Sequence, residues 1–353
     1  MTDIGIPCDL VFFDFKKAFD SVSHTKLINK LRVLNFSSHS IAWVSSYLHN
    51  RRQRVSLRGQ TSEWASVTSG VPQGSVLGPL LFNIFLSDLP KKITSFNRSY
   101  ADDLKLLSPS FLHLILQKDI KAVSDWADEN SLVLNHDKCI VMHFGHNNPC
   151  YQYFIQDKIL NTSNAHTDLG IMVDSTLKFH QHADFIVSKV FKKAHFILKC
   201  FSRLCPSSFT LLYTTFLRPV LEYCSQIARP SYSSFVTRLE SCQRRLTKWC
   251  KPIKHLTYQE RLKRLNLPSV EQRLLRGDLI LTYQILHKLL TVDISDFFCL
   301  KSTITRGHRY QLAGEVAVVM FDTAFFRSGW LSHGTLFQLM SSQLRLLILS
   351  RPG

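Results

Sequence analysis

The carboxylates of this chain that suit catalysis lie in or next to short apolar segments. Asp102 and Asp103 are adjacent within residues 100–107, and Asp14 ends the apolar run that starts near residue 9. Neighbouring carboxylates in apolar surroundings repel each other at a cost of several kcal/mol, so a cation usually balances them. If the two segments are adjacent strands, the three carboxylates meet at one sheet edge and suit two Mg²⁺ ions about 3.5–4 Å apart, for nucleotidyl transfer. The alternative is an exposed Asp-Asp turn.

Apolar patterning predicts the elements that must position these residues. We expect strands at residues 9–15, at 139–144 and, as a pair, within 100–107. Helices are expected at 23–35, 38–49, 75–89 and 111–130, with a hairpin turning near Gly59 and a Gly/Pro loop at 69–74. Since strands and helices interleave without the regular alternation of a parallel α/β sheet, the predicted fold class is α+β.

The second half of the chain is predicted to be mainly helical, and it is strongly basic. Short strands are expected at 151–160 and 168–173 and helices from residue 183, with capping boxes pairing Thr257 with Glu260 and Ser269 with Gln272. Residues 189–288 hold 19 Lys and Arg against 5 Asp and Glu, so they carry +14 of the chain's net charge of +17. This asymmetry favours a polyanion-binding module, with a solvated basic helical surface as the alternative.

The cysteines indicate a reducing compartment. Nine are scattered along the chain without any Cys-x-x-Cys pair, and no apolar run reaches the length of about 18 residues that a membrane span needs. We therefore expect an intracellular protein of the nucleus or cytoplasm that is neither secreted nor membrane-bound. Cys139, His143, His146 and Cys150 form a less favoured candidate zinc quartet, because a predicted strand and an Asn-Asn-Pro turn run through it.

Three segments, in this order along the chain, carry a more specific signal. They are residues 13–24, which begin Phe13-Asp14-Phe15, residues 69–83, which begin Ser69-Gly70-Val71-Pro72-Gln73-Gly74, and Tyr100-Ala101-Asp102-Asp103. Together they resemble motifs A, B and C of the reverse transcriptases of non-LTR (LINE-type) retrotransposons. Residues 135–138 resemble motif D of the same family, and residues 168–171 resemble the strand after it. Residues 217–223 and 306–309 are similar to the segment beyond the polymerase in the jockey- and CR1-like groups. The resemblance covers roughly residues 8–310.

The resemblance implies the right-hand architecture of polymerases. Residues 1–150 would form the palm, an antiparallel sheet with packed helices, with most of the fingers missing. Residues 151–185 would form a primer-grip-like connection and 186–300 a basic helical thumb, while 301–353 would be a divergent tail. The endonuclease domain that usually precedes such a polymerase is also expected to be missing.

The resemblance also implies roles for individual residues. Asp14, Asp102 and Asp103 would bind the two Mg²⁺ ions, for which Mn²⁺ can substitute. The thumb would grip the phosphates of the template–primer duplex, with Lys192, Lys193, Arg244, Arg245, Arg261 and Arg264 as candidates.

Nucleotide binding falls to residues near the carboxylates. Phe19 would be the bulky wall that excludes a ribose 2′-OH, with core packing as its alternative role. Gly70, Gln73 and Gly74 would line the incoming nucleotide and the template, because glycines allow close backbone approach. Lys138 would protonate or neutralise the leaving pyrophosphate or serve as a simple phosphate contact. We interpret Asp20 and His24 as local caps or packing residues.

The implied activity is that of an RNA-directed DNA polymerase fragment, which adds nucleotides from dNTPs to a DNA primer while copying an RNA template. Two alternatives stay open. The first alternative is a non-catalytic nucleic-acid-binding remnant of a decayed element, and the second is an RNA polymerase of the same palm fold. Phe19 and the Tyr100–Asp103 motif argue against the second alternative. The sequence does not determine the oligomeric state.

Overall fold

The structure is a computed structural model, and it describes residues 6–201, 204–226 and 232–298. The chain divides into two compact units, Met1–Ser163 and Asn164–Gly353. The predicted tail at 301–353 and the segment at 306–309 lie outside the described residues. Each unit is described by itself below.

Unit 1 combines helices with a central sheet and short hairpins. Its helices are α1 (His24–Val33), α2 (Ser38–Leu48), α3 (Leu77–Leu86) and α4 (His113–Asn130). Its strands are β1 (Cys8–Phe13), β2 (Arg52–Gln53), β3 (Ser56–Leu57), β4 (Gln60–Thr61), β5 (Ala65–Ser66), β6 (Phe96–Tyr100), β7 (Asp103–Pro109), β8 (Ile140–Phe144), β9 (Phe154–Ile155), β10 (Lys158–Ile159) and β11 (Asn161–Thr162). The predicted α+β class is confirmed.

The main sheet places β1 in its centre. The strand order is β11-β8-β1-β7-β6, in which β1 pairs antiparallel with both β7 and β8. All six residues of β1 are buried, as its continuous apolar run predicted. The hairpin of β6 and β7 starts at Phe96, earlier than the strand pair predicted within 100–107. The prediction missed β6 because this edge strand is half-buried and partly polar and so lacks an apolar pattern.

A half-buried lysine connects α1 to the neighbouring helices α3 and α4. The ammonium nitrogen of Lys30 lies 2.6 Å from a carboxylate oxygen of Asp88 and 4.6 Å from the ring centroids of both Phe85 and Trp126. Burial lowers the pKa of Lys30 below its ordinary value, an effect that the Asp88 carboxylate partly offsets. The contact therefore fixes the orientation of α1, whose first residue is His24.

Unit 2 begins with a hairpin and continues as helices. The hairpin consists of β12 (Ala165–Asp168) and β13 (Ile171–Asp174). The helices are α5 (His180–Cys200), α6 (Pro206–Leu212), α7 (Arg218–Glu222), α8 (Tyr232–Thr247), α9 (Tyr258–Leu265) and α10 (Val270–Leu286). Both predicted capping boxes are confirmed at the starts of α9 and α10. Among the described helices, none is long and apolar enough to span a membrane.

A buried histidine makes the stability of unit 2 dependent on pH. His182 is fully buried, its Nδ1 accepts the backbone N–H of Met172 at 3.1 Å, and its Nε2 has no hydrogen-bond partner. Burial, with a smaller contribution from Lys189, lowers the pKa of His182 from about 6.5 to about 4. Below about pH 6.5 the unfolded state therefore binds a proton at His182, whereas the folded state binds it only near pH 4.

We expect the stability of unit 2 to fall as the pH drops from about 6.5 to about 4, by up to about 3 kcal/mol from this residue. His182→Gln retains a hydrogen-bond acceptor for Met172 but removes the titration, so its unfolding free energy should depend less on pH. Urea unfolding at several pH values, monitored by hydrogen exchange in peptides of α5, measures how the unfolding free energy of the wild type and of the variant depends on pH. Equal slopes for the wild type and the variant would contradict the assignment.

Candidate active site

Asp14 follows the central strand, and its backbone is held on two sides. The N–H of Asn135 donates to the Asp14 carbonyl at 2.8 Å, and the Asp14 N–H donates to the Cys139 sulfur at 3.4 Å. One carboxylate oxygen, Oδ2, is buried without a hydrogen-bond partner. The ammonium group of Lys138 lies 3.6 Å from it, on a side chain that is 68% exposed. Asp14 thus presents a carboxylate oxygen that accepts no hydrogen bond and is paired at 3.6 Å with the exposed Lys138.

Asp102 lies in the turn of the β6–β7 hairpin, and Asp103 is the first residue of β7. Ala101 adopts a left-handed conformation (φ +53°), which closes the turn between Tyr100 and Asp103. The register of β1 and β7 pairs Phe13 with Leu104, so a continuation by one residue brings Asp14 level with Asp103. The strands are therefore neighbours, as the site prediction required, and the three carboxylates belong to the same end of the sheet.

The donor chemistry of this end fits Mg²⁺ or Mn²⁺. Hard divalent cations prefer carboxylate oxygens, and a cation would satisfy the buried Oδ2 atom of Asp14. In the described ranges, however, no three His, Cys, Asp or Glu side chains are gathered closely enough to hold a metal ion. The backbone thus brings the carboxylates to one edge, while their side chains, as placed, do not form the cluster.

The Gly/Pro loop at 69–74 lies directly against the turn that follows β1. The N–H groups of Gly70 and Val71 donate to the carbonyls of Val22 and Phe19, both at 2.8 Å. Gly70 has φ +89°, and a Cβ atom there would lie 2.7 Å from the backbone of Asp20. Only glycine permits both this conformation and this approach.

Asp20 and His24 hold the same loop through their side chains. The Gln73 amide nitrogen donates to the Asp20 carboxylate at 2.8 Å, and His24 Nε2 donates to the Gly70 carbonyl at 2.8 Å. Of the two interpretations given to these residues, the local cap is wrong, since Ser23 caps α1 and both contacts reach across about 50 residues. Both residues instead pack against the loop. No local sequence signal identifies them, because each contact joins two separate segments.

Phe19 is half-buried beside the loop. Its ring stacks on that of Phe82 in α3, with centroids 4.5 Å apart and planes 19° apart. The packing alternative therefore describes one face of the ring, and the partial exposure leaves room for a contact with a ligand. Gly74 is exposed with φ +79°, and a Cβ atom there would meet nothing within 4 Å.

Five of the six basic candidates of unit 2 are exposed on its helices: Lys192, Lys193, Arg244, Arg245 and Arg264. Two of them lie over aromatic rings, since the Arg244 guanidinium is 5.0 Å from the Tyr258 centroid and that of Arg245 is 4.5 Å from the Phe191 centroid. Such stacking restrains a guanidinium while its edge can still donate to a phosphate.

Arg261 does not fit its predicted role as a phosphate contact. The residue is 2% exposed, and its guanidinium donates to the Leu256 carbonyl at 2.6 Å and to the Thr247 hydroxyl at 3.0 Å. A third hydrogen bond reaches the Arg244 carbonyl at 3.3 Å. Since a buried and internally bonded guanidinium cannot reach a polyanion, Arg261 stabilises the junction of α8 and α9 instead.

The zinc alternative is not supported by the environment of its residues. His143 Nδ1 donates to the buried carboxylate of Asp9 at 2.7 Å. Burial raises the pKa of the Cys139 thiol to about 11, so the thiolate that zinc requires is disfavoured.

Comparisons with known proteins identify relatives of the chain. Residues 6–189 match the family described as reverse transcriptase (RNA-dependent DNA polymerase). The chain is 33% identical over 184 residues to the RNA-directed DNA polymerase from the mobile element jockey of Drosophila melanogaster, covering 48% of this chain and 20% of that protein. It is 29% identical over 297 residues to the probable RNA-directed DNA polymerase from transposon BS of the same species, covering 76% and 32%.

The chain spans about a third or less of the length of these curated relatives. Among solved structures, apo telomerase from Candida tropicalis has a TM-score of 0.40 at 12% identity, covering 82% of this chain and 52% of that one. Telomerase from Candida albicans, in complex with a fragment of telomeric RNA, has a TM-score of 0.40 at 14% identity, covering 80% and 49%.

Proposed function

We propose that this chain, which belongs to the reverse transcriptase family, is the palm and thumb of an RNA-directed DNA polymerase from a non-LTR retrotransposon. The family match covers just over half of its 353 residues. In the proposed reaction, a primer 3′-OH attacks the α-phosphate of a dNTP selected by an RNA template. One observation carries the proposal: Asp14, Asp102 and Asp103 belong to the same end of β1 and β7, next to the turn against which the 69–74 loop is held.

Asp14, Asp102 and Asp103 would hold the Mg²⁺ or Mn²⁺ ions of this reaction. Such ions, when bound, activate a hydroxyl and neutralise charge on a triphosphate. The contribution of the chain itself is to fix the backbone that carries the carboxylates. Strand pairing sets the level of Asp103, and hydrogen bonds from Asn135 and to Cys139 hold the backbone of Asp14. A fixed backbone limits the rearrangement that would be needed to gather the carboxylates around an ion.

Gln73 would contact the incoming nucleotide or its template base. Its hydrogen bond to Asp20 fixes the orientation of the amide, because a carboxylate can only accept. The Gln73 carbonyl oxygen and second N–H can then serve a ligand. His24 fixes the backbone of the same loop at Gly70. Asp20 and His24 therefore position the loop without touching the reacting atoms.

Lys138 would act on the pyrophosphate leaving group. Its present contact with Asp14 is 3.6 Å long, and the lysine side chain is 68% exposed. A long ion pair with a largely exposed lysine contributes about 1 kcal/mol at most, so a triphosphate can displace it readily. The five exposed basic residues of unit 2 would contact duplex phosphates, and this binding should weaken steeply with salt.

Phe19 would exclude ribonucleotides, and its replacement gives a direct prediction. We expect Phe19→Ala to raise the incorporation of UTP relative to dTTP by about tenfold or more, because the wall against the 2′-OH is removed. Single-nucleotide extension of oligo(dT) on poly(rA) measures the ratio. Phe82→Leu is the matched control, since it disturbs the stacking partner of Phe19 while leaving Phe19 in place. An unchanged ratio in Phe19→Ala, or an equal change in Phe82→Leu, would contradict the assignment.

The proposed function is tested by primer extension with the purified chain, poly(rA)/oligo(dT), Mg²⁺ and labelled dTTP or UTP. Extension with dTTP that requires Asp102 supports it, and comparable incorporation of UTP would indicate an RNA polymerase instead. One observation favours the non-catalytic alternative, namely that the carboxylates, as placed, do not form a metal-holding group within the described residues. Salt-sensitive duplex binding without any extension would establish that alternative.

A further inference from the structure

The hairpin between α2 and the 69–74 loop has no role in the function proposed above. Its base is closed by β2 and β5 and by a hydrogen bond from the Val67 N–H to the Arg51 carbonyl at 2.9 Å. Its outer part is the pair of β3 and β4, which turns at Arg58 and Gly59. Every residue from 52 to 66 is exposed, so the hairpin adds nothing to the core of unit 1.

The hairpin holds the excess positive charge of the chain outside residues 189–288. Outside that segment the chain has 24 Lys and Arg against 21 Asp and Glu. The hairpin alone has four arginines, at positions 51, 52, 54 and 58, against the single Glu63. The remaining parts therefore contain 20 of each sign and are neutral. A local net charge of +3 on an exposed ribbon attracts polyanions.

Two of these arginines flank an exposed tryptophan on one face of the ribbon. Gln53 pairs with Ala65, so Arg54 lies opposite Trp64 on the same face, and Arg52 follows on that face two residues away. The guanidinium carbons of Arg54 and Arg52 are 4.7 and 5.7 Å from the Trp64 ring centroid. Trp64 is still 49% exposed, so part of the indole remains in contact with solvent.

We propose that this hairpin binds single-stranded RNA, with a base stacked on Trp64 and the flanking phosphates contacted by Arg52 and Arg54. Every base offers an aromatic face to an indole, and a guanidinium donates two parallel hydrogen bonds to a phosphate. Bases in a duplex stack on one another, so the surface should prefer unpaired RNA over a hybrid. The ribbon leads within a few residues into the 69–74 loop, so a template strand at that loop can continue onto it.

This inference rests on the proposed function, since the strand would be the template ahead of the polymerase site. The test uses the full chain without metal or nucleotides, and fluorescence anisotropy with a short labelled RNA, either single-stranded or annealed to DNA. We expect Trp64→Ala to weaken single-stranded RNA binding by about tenfold, with little effect on the hybrid. Arg54→Gln should weaken it as well and reduce the logarithmic salt slope by about 0.7.

Arg32→Gln is the matched control, because it removes the same charge from an exposed position on α1 and should leave RNA binding unchanged. Binding of single-stranded RNA by Trp64→Ala at wild-type affinity, or an equal loss on the hybrid, would overturn the inference. Absence of RNA binding by the wild type would do so too. The outcome is separable from that of the proposed function, because a chain that cannot extend a primer can still show Trp64-dependent binding, and an active chain can lack it.

Discussion

Replacing Asp102 with asparagine should reduce primer extension at least about a thousandfold, because several kcal/mol of charge stabilisation in the transition state is lost. The change keeps the size of the side chain and removes one negative charge from the end of β1 and β7. Asp102 is half-exposed in a hairpin turn, so the fold should tolerate asparagine. Single-turnover extension of oligo(dT) on poly(rA), compared at saturating Mg²⁺ and dTTP, measures the rate of the chemical step.

Asp125→Asn is the matched control for this substitution. Asp125 is exposed on α4, and the same loss of charge there should leave the extension rate unchanged. Binding of the template–primer hybrid should be equal in the wild type and both variants, because contacts of Lys and Arg side chains with the phosphates dominate that affinity. An Asp102→Asn variant that extends primers at the wild-type rate would remove Asp102 from the site and overturn the two-metal assignment.

Gly70→Ala should lower the free energy of unfolding by about 2–3 kcal/mol or more and reduce primer extension strongly. Alanine is strained at φ +89°, and its Cβ would lie 2.7 Å from the Asp20 backbone, which cannot move as a flexible side chain could. Relief of the clash separates the loop from the turn at residues 18–20 and disturbs the hydrogen bond between Gln73 and Asp20. Urea denaturation measures the stability, and extension of a primed RNA template measures the activity.

Gly74→Ala isolates the contribution of the close contact to stability. Gly74 lies in the same loop with a similar φ of +79°, but a Cβ atom there meets nothing within 4 Å. Its substitution should therefore cost only the conformational penalty of about 1 kcal/mol. Equal destabilisation by the two substitutions would show that the approach of Gly70 to Asp20 does not determine the geometry of the loop.

The amino-acid sequence was sufficient where local pattern determines structure. The continuous apolar run of β1 predicted a buried strand, and hydroxyl and carboxamide or carboxylate groups three residues apart predicted the starts of α9 and α10. These features depend on neighbours within a few residues, so folding elsewhere does not alter them. The order of the three motifs likewise sufficed to predict the family, which the match over residues 6–189 confirms.

Tertiary structure alone decided which of the polar residues meet. Arg261 is buried, whereas the other five basic candidates of unit 2 are exposed. The sequence did not show this difference, because all six are basic residues of predicted helices. The contacts of Asp20 with Gln73 and of His24 with Gly70 join segments 53 and 46 residues apart, and the face shared by Trp64, Arg52 and Arg54 depends on the register of a hairpin. The sequence by itself determined the chemical groups and the local elements that carry them. Only the packed chain determined their partners, because distance and burial depend on segments far apart in sequence.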